Sequence, residues 1–421
     1  MPHYTTLAAF VSRYPEQIES LFEQILLICD QQGLLGHELF AIDGCKLPSN
    51  AAKTWSGTHK ELAHKRDKLK KLIKHHRAEH QTLDQEDSYV AEQAKRVQQS
   101  IETLNQAADK IENFLAGNEP RLGQGKRKQE VKSNITDNDS AKMTTSKGTI
   151  QGYSGVATVD KKHQIVIDAQ AFGAGQEHHV LQPVLEAISE RYKRLDINDA
   201  IYASGVIVTA DTGFANEDNM KYLHTEAIDG YIPDNQFRSR DPRFDQQKAK
   251  YKRPSRAKPD SAQIIPASEF NFDPITLSCQ CPAGNTLHSE QIGEDKQGNK
   301  KIYFKGRVSD CRDCELKTKC MRNPSATDSS NGHGRQVSFI IDKTKGSSYT
   351  DWMKIRVDSK RGKQIYSHRM SVVEPVFGNV TFNKGLRRFT LRGKTKVNVQ
   401  WKLFCLIQNI EKLAYYGKLA A

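Results

Sequence analysis

Two aspartates each follow a short apolar run that predicts a buried strand. Asp43 comes after Phe40-Ala41-Ile42, and Asp211 comes after Val206-Ile207-Val208-Thr209-Ala210. A carboxylate at a strand end is held by the sheet but reaches solvent, and two on neighbouring strands repel each other unless a cation lies between them. Mg²⁺ suits such a place, because it takes a few carboxylate oxygens and keeps positions for water and phosphate. Either aspartate alone is equally typical of a turn.

The elements around these aspartates predict a mixed α/β sheet with helices on its faces. Residues 1–37 carry an apolar face at helical spacing and lead into the first short strand. Residues 151–172 contain two β-type runs joined by Asp160-Lys161-Lys162, which predicts an antiparallel hairpin. A helix is expected over 178–194, and a second short buried strand over 205–211.

A long helical stretch and a polar segment separate the first strand from the hairpin. Residues 60–116 contain almost no Gly or Pro, and their apolar residues alternate spacings of four and three. A helical hairpin that folds back on itself is one interpretation of this seam, and dimerisation is the other. Residues 117–148 are rich in Gly, Lys, Asn, Asp and Ser, which predicts a linker or mobile loop.

The eight cysteines include a cluster with the spacing of a metal site. Four thiolates suit tetrahedral Zn²⁺ in a structural site, and the set consists of Cys281, Cys311, Cys314 and Cys320. Cys279 or His288 is an alternative ligand, and reduced, unliganded thiols in a β-rich insertion are the simpler alternative. The remaining cysteines, Cys29, Cys45 and Cys405, lie in apolar stretches and are expected in the core.

The charge of the chain favours a polyanionic partner. The 63 Lys and Arg against 50 Asp and Glu leave a net charge of +13. Residues 238–258 carry nine basic and two acidic side chains, and residues 384–396 carry six basic side chains and no acid. Such segments would hold phosphates with strong salt dependence and little sequence information. Basic runs can also be merely solvated faces.

Several classes of protein are disfavoured by what the sequence lacks. No run of 18 or more apolar residues occurs, and the N-terminus has no signal-peptide pattern. We therefore expect a soluble cytoplasmic protein with no membrane partner. The sequence contains no Gly-rich loop of the kind that cradles phosphates. It also gives no support for Ser-His-Asp or Cys-His hydrolysis.

Three acidic motifs resemble those of bacterial insertion-sequence transposases with a DDE catalytic domain. They lie at residues 40–46 (FAIDGCK), residues 210–214 (ADTGF, followed by EDN and later GYIP) and residues 366–378 (YSHRMSVVEPVFG). Lesser similarities are QGY at 151–153, GLRRF at 385–389 and a closing WKL helix. The resemblance spans roughly residues 38–416.

The resemblance implies an RNase H-like mixed sheet with helices on both faces, interrupted by a helical-hairpin insertion and a cysteine-rich insertion. It implies that Asp43, Asp211 and Glu374 hold Mg²⁺ or Mn²⁺ ions. These would support in-line attack on a phosphodiester, first by water and then by the freed 3′-hydroxyl. Arg369 would contact phosphate and Tyr366 would position an oxygen or stack on a base. Helix-surface packing is the alternative role for both.

The motifs and composition shifts predict six regions. A short N-terminal helical segment is followed by two parts of the catalytic domain that flank a helical hairpin and linker. A basic, cysteine-rich insertion then separates the core from the C-terminal part of the catalytic domain. The predicted bounds are 1–37, 38–59, 60–148, 149–236, 237–345 and 346–421.

Three features depart from the family pattern. Thr381 stands where relatives usually carry a Lys, and Lys384 could substitute from the next turn. Pro375 directly after Glu374 disfavours an uninterrupted helix. Only 42 residues precede Asp43, so the terminal-repeat-binding segment is expected to be shortened or missing.

The expected function is metal-dependent cleavage at the ends of a mobile element and strand transfer into target DNA. The expected partner is double-stranded DNA, both terminal inverted repeats and target, bound by a homodimer in association with the nucleoid. Two other classes stay open: a DNA-binding relic that no longer transposes, and a metal-dependent nuclease without strand transfer.

Overall fold

The computed structural model describes residues 3–83, 91–123, 128–146, 148–244, 264–294, 299–329, 332–342 and 348–418. The chain forms two compact units, the first made of Met1–Asn235 with Met353–Ala421 and the second of Gln236–Trp352. The greater part of the predicted basic run at 238–258 lies outside the described residues.

In chain order, the elements up to the second unit are α1 (Tyr4–Arg13), α2 (Pro15–Gln31), β1 (Leu39–Pro48), β2 (Ser56–Gly57), α3 (His59–Leu83), α4 (Ala91–Gly117), β3 (Ser133–Asn134), β4 (Ala141–Thr145), β5 (Gly148–Asp160), β6 (Val166–Phe172), α5 (Leu181–Arg194), β7 (Ile207–Ala210), α6 (Glu217–Thr225) and β8 (Asp229–Tyr231). They are followed by α7 (Phe237–Arg240), β9 (Asn271–Asp273), β10 (Ser278–Gln280), β11 (Thr286–Glu294), β12 (Lys300–Lys305), α8 (Val308–Arg312), α9 (Lys317–Cys320), β13 (Gln336–Asp342), α10 (Tyr349–Asp358), α11 (Lys360–Gly378) and α12 (Lys394–Tyr416).

A mixed sheet forms the centre of the first unit. Its strand order is β4-β5-β1-β7-β8, with β6 beside β5. Strand β1 is antiparallel to β5 and parallel to β7, and β7 is parallel to β8. The predicted hairpin is confirmed, because β5 and β6 are adjacent and antiparallel.

Strand β1 shows that the sheet is covered on both faces. Successive side chains of a strand point to opposite faces. Leu39 and Ala41 join a core cluster with Phe22 of α2 and residues of α11 and α12. Phe40, between them, lies 6.0 Å from the ring of Tyr192 on α5. The predicted mixed α/β fold with helices on both faces is therefore confirmed.

Two predicted segment boundaries are corrected. Strand β1 was expected to end at Asp43, but it continues to Pro48 because its pairing with β5 extends to Pro48 opposite Gly152. The predicted linker at 117–148 contains β3 and β4. Asn134 in this segment is buried and forms hydrogen bonds within the protein. Its amide donates to Ala52 O at 2.9 Å and to Ser56 Oγ at 2.8 Å.

Helix α11 corrects the expectation that Pro375 interrupts it. The helix runs from Lys360 to Gly378 with Pro375 inside. Proline has no N–H and leaves the carbonyl four residues earlier without its helical partner. That carbonyl belongs to Ser371, and it accepts a hydrogen bond from Gln164 Nε2 at 3.0 Å. Burial of Val373 and Val376 on either side of the proline further holds the helix in place.

Helices α3 and α4 pack against each other through a small apolar cluster. Ile73 of α3 and Ile101 and Ala108 of α4 are its buried members. The residues between the two helices, 84–90, lie outside the described chain.

The second unit is built on an antiparallel sheet of its own. The strand order is β13-β12-β11-β10-β9. Its core includes Phe304 and Cys279, and the rings of Phe272 and Phe339 stack at 4.4 Å beside it. Among the helices that the structure describes, none combines the length and apolar character needed to cross a lipid bilayer.

A buried ionic network ties α5 to the sheet and to α2. Arg191 is 4% exposed, and its Nη1 lies 2.6 Å from Asp168 Oδ1 on β6. The same nitrogen donates to Ile167 O at 3.1 Å, and Nη2 lies 3.1 Å from Glu19 of α2. Because Asp168 is only 1% exposed, it depends on Arg191 for compensation of its charge.

We expect Arg191→Met to destabilise the first unit by about 3–5 kcal/mol, because it leaves a buried carboxylate without its partner. The matched control is Arg194→Met on the same helix, whose side chain is 54% exposed in its pair with Glu23 and whose loss should cost at most about 1 kcal/mol. Urea unfolding followed by tryptophan fluorescence measures both. Equal losses for the two variants would contradict the assigned role of Arg191.

Candidate active site

The two aspartates lie side by side where the parallel pairing of β1 and β7 ends. The last paired residues are Ile42 of β1 and Ala210 of β7. The next residue on each strand is Asp43 or Asp211, so the sheet register itself brings the carboxylates together. The side chain of Asp43 is 24% exposed and that of Asp211 is 42% exposed.

Arg369 of α11 faces both carboxylates. Its Nη1 lies 2.9 Å from Asp43 Oδ2, and its Nη2 lies 3.6 Å from Asp211 Oδ1. The side chain is 9% exposed, and its buried Nε has no hydrogen-bond partner among the residues that the structure describes. The guanidinium also lies 5.7 Å from the ring centre of Tyr366, one turn earlier. Arg369 thus stands beside the aspartates, and Tyr366 stands beside Arg369.

Burial and charge act in opposite directions at this pair. Burial raises the pKa of Asp43 above its ordinary value, and Arg369 and the N–H of Gly44 only partly offset that rise. Burial lowers the pKa of Arg369, but the charges of Asp43, Tyr366 and Asp211 outweigh burial and raise it overall. Arg369 therefore offsets only part of the cost of burying the Asp43 carboxylate.

The structure does not bring Glu374 to the aspartates. Glu374 is exposed on α11, while Arg369, Val372, Val373 and Val376 of the same helix are buried. Five residues of α-helix turn a side chain by about 140°, so Glu374 points away from the face that carries Arg369. Within the described ranges, no three His, Cys, Asp or Glu side chains are close enough to hold a metal ion.

Glu177, which the sequence analysis did not single out, lies beside Gly44 and Gly213, the glycines that follow Asp43 and Asp211. A Cβ built on Gly44 would stand 3.0 Å from Glu177 Oε1, and one on Gly213 would stand 2.3 Å from Oε2. Burial raises the pKa of Glu177, Lys46 lowers it, and Asp43 and Asp211 raise it further. The sequence signal that could have pointed to Glu177 is an acid after a Gly-rich turn between a strand and a helix, in GAGQEHH at 173–179.

A basic cleft opens at Lys46, three residues after Asp43 on β1. Its volume is about 990 Å³. The basic side chains that line it are Lys46, Arg121, Lys128, Lys132 and Lys142. Glu130 is the acidic side chain among the described lining residues.

The basic run at 384–396 is partly committed to internal contacts. Lys384 Nζ pairs with Glu411, and its side chain is 9% exposed. Arg388 and Arg392 donate to Asn50. Lys384 is therefore held against α12, and the expectation that it replaces the missing family lysine at Thr381 gains no support.

The four predicted zinc ligands line one small cavity of the second unit. The cavity measures about 30 Å³ and is lined by Cys281, Cys311, Cys314 and Cys320. Burial raises the pKa of Cys320, and the other three thiols contribute smaller effects. Of the alternative ligands, Cys279 is buried in the core of the sheet and His288 contacts Arg307. Outside the cluster, Cys29 and Cys405 are buried and Cys45 is half-buried, as expected of core residues.

We expect Arg369→Gln to lower the stability of the metal-free protein by about 1–3 kcal/mol at pH 8, because a poorly solvated carboxylate loses its charged partner. The pKa of Asp43 in the folded protein is already raised, so protonation of Asp43 stabilises the fold at low pH. This stabilisation is lost as the pH rises through that pKa. Removing the guanidinium raises the pKa of Asp43 further. The loss of stability caused by Arg369→Gln should therefore be smaller at pH 5 than at pH 8. Thermal melts at both pH values test this.

The control for this prediction is Arg361→Gln on the same helix, whose side chain is 72% exposed. It should change the melting temperature little at either pH. A penalty for Arg369→Gln that is the same at pH 5 and pH 8 would contradict the charge pairing.

Comparison with known proteins identifies part of this chain. Residues 280–414 match a family model described as Transposase DDE domain. The match includes Arg369 and Glu374 and does not reach Asp43 or Asp211. No curated protein and no solved structure matches the chain. The predicted resemblance to transposases with a DDE domain is therefore confirmed, over residues 280–414.

Proposed function

We propose that the protein is a DNA transposase that cuts DNA at the ends of a mobile element and joins the ends to target DNA. The observation that carries this proposal is the placement of Asp43 and Asp211 one register step beyond the last parallel pair of β1 and β7. The family match over residues 280–414 supports the same class.

We propose that the sheet of the first unit is RNase H-like. Supporting this, the order β6-β5-β1-β7-β8 places two antiparallel strands on one side of β1 and two parallel strands on the other. An acid on the central strand and another directly after its parallel neighbour is the arrangement that the resemblance implies for this fold.

The donor chemistry fits a divalent cation such as Mg²⁺ or Mn²⁺. Asp43 and Asp211 offer carboxylate oxygens at the edge of the sheet, and burial disfavours the charged form of Asp43. Bound there, a divalent ion would polarise a phosphodiester and stabilise the charge on the attacking and leaving oxygens. Asp43 and Asp211 would orient it, while the sheet fixes both carboxylates.

The basic cleft supports DNA as the partner. Lys46 and Lys142 line it with three further basic residues, and the chain has a net charge of +13. Phosphate contacts from such side chains position a duplex without specifying its sequence. The cleft begins at Lys46, three residues after Asp43 on the same strand. Homodimerisation on DNA remains a prediction.

The test is a cleavage and joining assay with DNA ends from the inverted repeats that flank the gene, in Mg²⁺ or Mn²⁺. We expect Asp43→Asn and Asp211→Asn each to lower cleavage and joining by at least about 100-fold, because each loses part of the transition-state charge stabilisation. Asp199→Asn, an exposed residue after α5, is the matched control.

Each alternative function has its own outcome in this assay. Cleavage of arbitrary DNA without joined products would replace the transposase by a nuclease. Binding of the ends without cleavage would indicate a relic. Full activity of either aspartate variant would overturn the proposed site itself.

We also propose that the second unit binds a structural zinc ion at Cys281, Cys311, Cys314 and Cys320. The support is that all four thiols line one cavity and that their spacing suits a four-thiolate site. Since no three described ligands stand within metal-binding distance, zinc would draw the sulfurs closer together.

Metal content of the purified protein tests the zinc proposal. We expect about one zinc per chain by mass spectrometry of the elements, lost in the Cys311→Ser/Cys314→Ser variant and kept in Cys29→Ala, whose thiol lies in the first unit. Protein without zinc, or zinc retained by the double variant, would refute it.

A further inference from the structure

We infer that helix α3 carries a DNA-binding surface of its own, in addition to the basic cleft. The inference rests on the proposed function, because it takes its DNA partner from there. The surface is a basic stripe of six exposed side chains, Lys60, His64, Lys68, Lys71, Lys74 and His75. The basic runs predicted at 238–258 and 384–396 do not include it.

Helical spacing places the basic stripe on one side of α3. At 3.6 residues per turn, its members cover about 120° of the helix circumference, and Asp67 is the acid within that arc. Leu69 and Ile73, which pack in the apolar cluster between α3 and α4, lie about 180° away from the middle of the stripe. From Lys60 to His75 the stripe is about 22 Å long, at 1.5 Å per residue. The side of α3 that faces away from α4 is therefore basic.

The lysines of the stripe carry charge that the described part of the protein does not neutralise. They form no ion pair with any residue that the structure describes. Outside the stripe, Lys70 Nζ lies 2.8 Å from Glu112 of α4, and Arg66 is 3.9 Å from the same carboxylate. Asp67 itself pairs with Arg66 at 2.8 Å. The acids of the hairpin thus neutralise its flank and leave the stripe positive, which attracts a polyanion.

The base of α3 is anchored to the first unit. Thr58 and Glu61 cap the helix reciprocally, since Glu61 N–H donates to Thr58 Oγ1 at 3.2 Å and Thr58 N–H donates to Glu61 Oε2 at 2.9 Å. One turn later, Lys65 Nζ donates to Thr54 O at 2.7 Å and lies 4.4 Å from the ring centre of Trp55. A helix that is fixed before binding loses less conformational entropy when its side chains meet a ligand.

The base of α3 also adjoins the basic cleft. His59 N–H donates to Glu130 Oε1 at 2.6 Å, and Lys132 Nζ lies 2.8 Å from Glu61 Oε1. Glu130 and Lys132 both line the cleft. Because Lys60 directly follows His59, the basic stripe begins beside the cleft, and the two basic surfaces are neighbours.

The chemistry of the stripe suits the phosphates of a DNA backbone. A duplex carries one negative charge about every 1.7 Å along its axis, so a stripe about 22 Å long faces several phosphates. Lysines that contact phosphates fix the position of the duplex and do not distinguish its sequence. The stripe therefore holds DNA of any sequence, without a need for the divalent cation.

The test measures binding of a fluorescent duplex of arbitrary sequence to the full chain in EDTA, by anisotropy at several salt concentrations. We expect Lys68→Gln/Lys71→Gln to weaken binding about tenfold at about 0.1 M salt. The slope of log affinity against log salt should become shallower by about 2, because two phosphate contacts are lost. Gln and Lys have similar helix propensities, so α3 should persist, and circular dichroism checks this.

The matched control removes the same charge from another part of the first unit. It is Lys161→Gln/Lys193→Gln, at two exposed lysines, and its affinity and salt slope should stay close to those of the wild type. A merely solvated stripe would affect DNA binding no more than these lysines do. Equal weakening in the two double variants, or wild-type affinity in the stripe variant, would therefore overturn the inference.

The acid within the stripe gives a test of opposite sign. Asp67→Asn removes a negative charge from the stripe and releases Arg66 from its ion pair, so it should strengthen DNA binding at least about twofold at low salt. Asp199→Asn removes an exposed acid after α5 and should leave the affinity unchanged. Unchanged or weaker binding by Asp67→Asn would count against the inference.

The cleavage and joining assay keeps this inference apart from the proposed function. Wild-type DNA affinity in the stripe variant, together with cleavage that Asp43→Asn abolishes, would overturn the inference and leave the proposed function standing. Weakened DNA binding in the stripe variant, with no cleavage or joining by the wild-type chain, would overturn the proposed function and leave the stripe as a DNA-binding surface.

Discussion

The parallel pairing of β1 with β7 is the constraint on which the site depends. It ends at Ile42 and Ala210, so the next residue of each strand is an aspartate held beside the other. Two carboxylates that the backbone keeps adjacent cannot relax apart, and their repulsion must be met by positive charge. Arg369 of α11 meets part of it in this structure.

The rest of the first unit serves to hold that edge of the sheet still. Helices α2, α11 and α12 cover one face, and α5 covers the other. Arg191 ties α5 to β6 and α2, and Gln164 compensates the carbonyl that Pro375 leaves without a helical partner. Because α11 is fixed in this way, the rotation of each of its side chains relative to the aspartates is fixed as well.

The three acids predicted from the motifs are placed differently in the structure, since Asp43 and Asp211 both face Arg369 and Glu374 is exposed. Glu374 was predicted from the resemblance alone, and the helical rotation set by Arg369 and the buried valines turns it outwards. Glu177, which lies beside Gly44 and Gly213, belongs to no strand end and to none of the three motifs. Its position depends on the contact of His178 with Asn216 and Asn219, which lie about forty residues further along the chain.

The sequence by itself determined the mixed α/β class, the hairpin of β5 and β6, the helix at α5 and the two aspartates, because these follow from local periodicity and from the residues that end strand pairing. The tertiary structure decided the length of β1, the course of α11 through Pro375 and the residues that face the aspartates. These depend on partners distant in the chain: the register with β5, the amide of Gln164 and the burial of one helix face. No local pattern encodes such contacts.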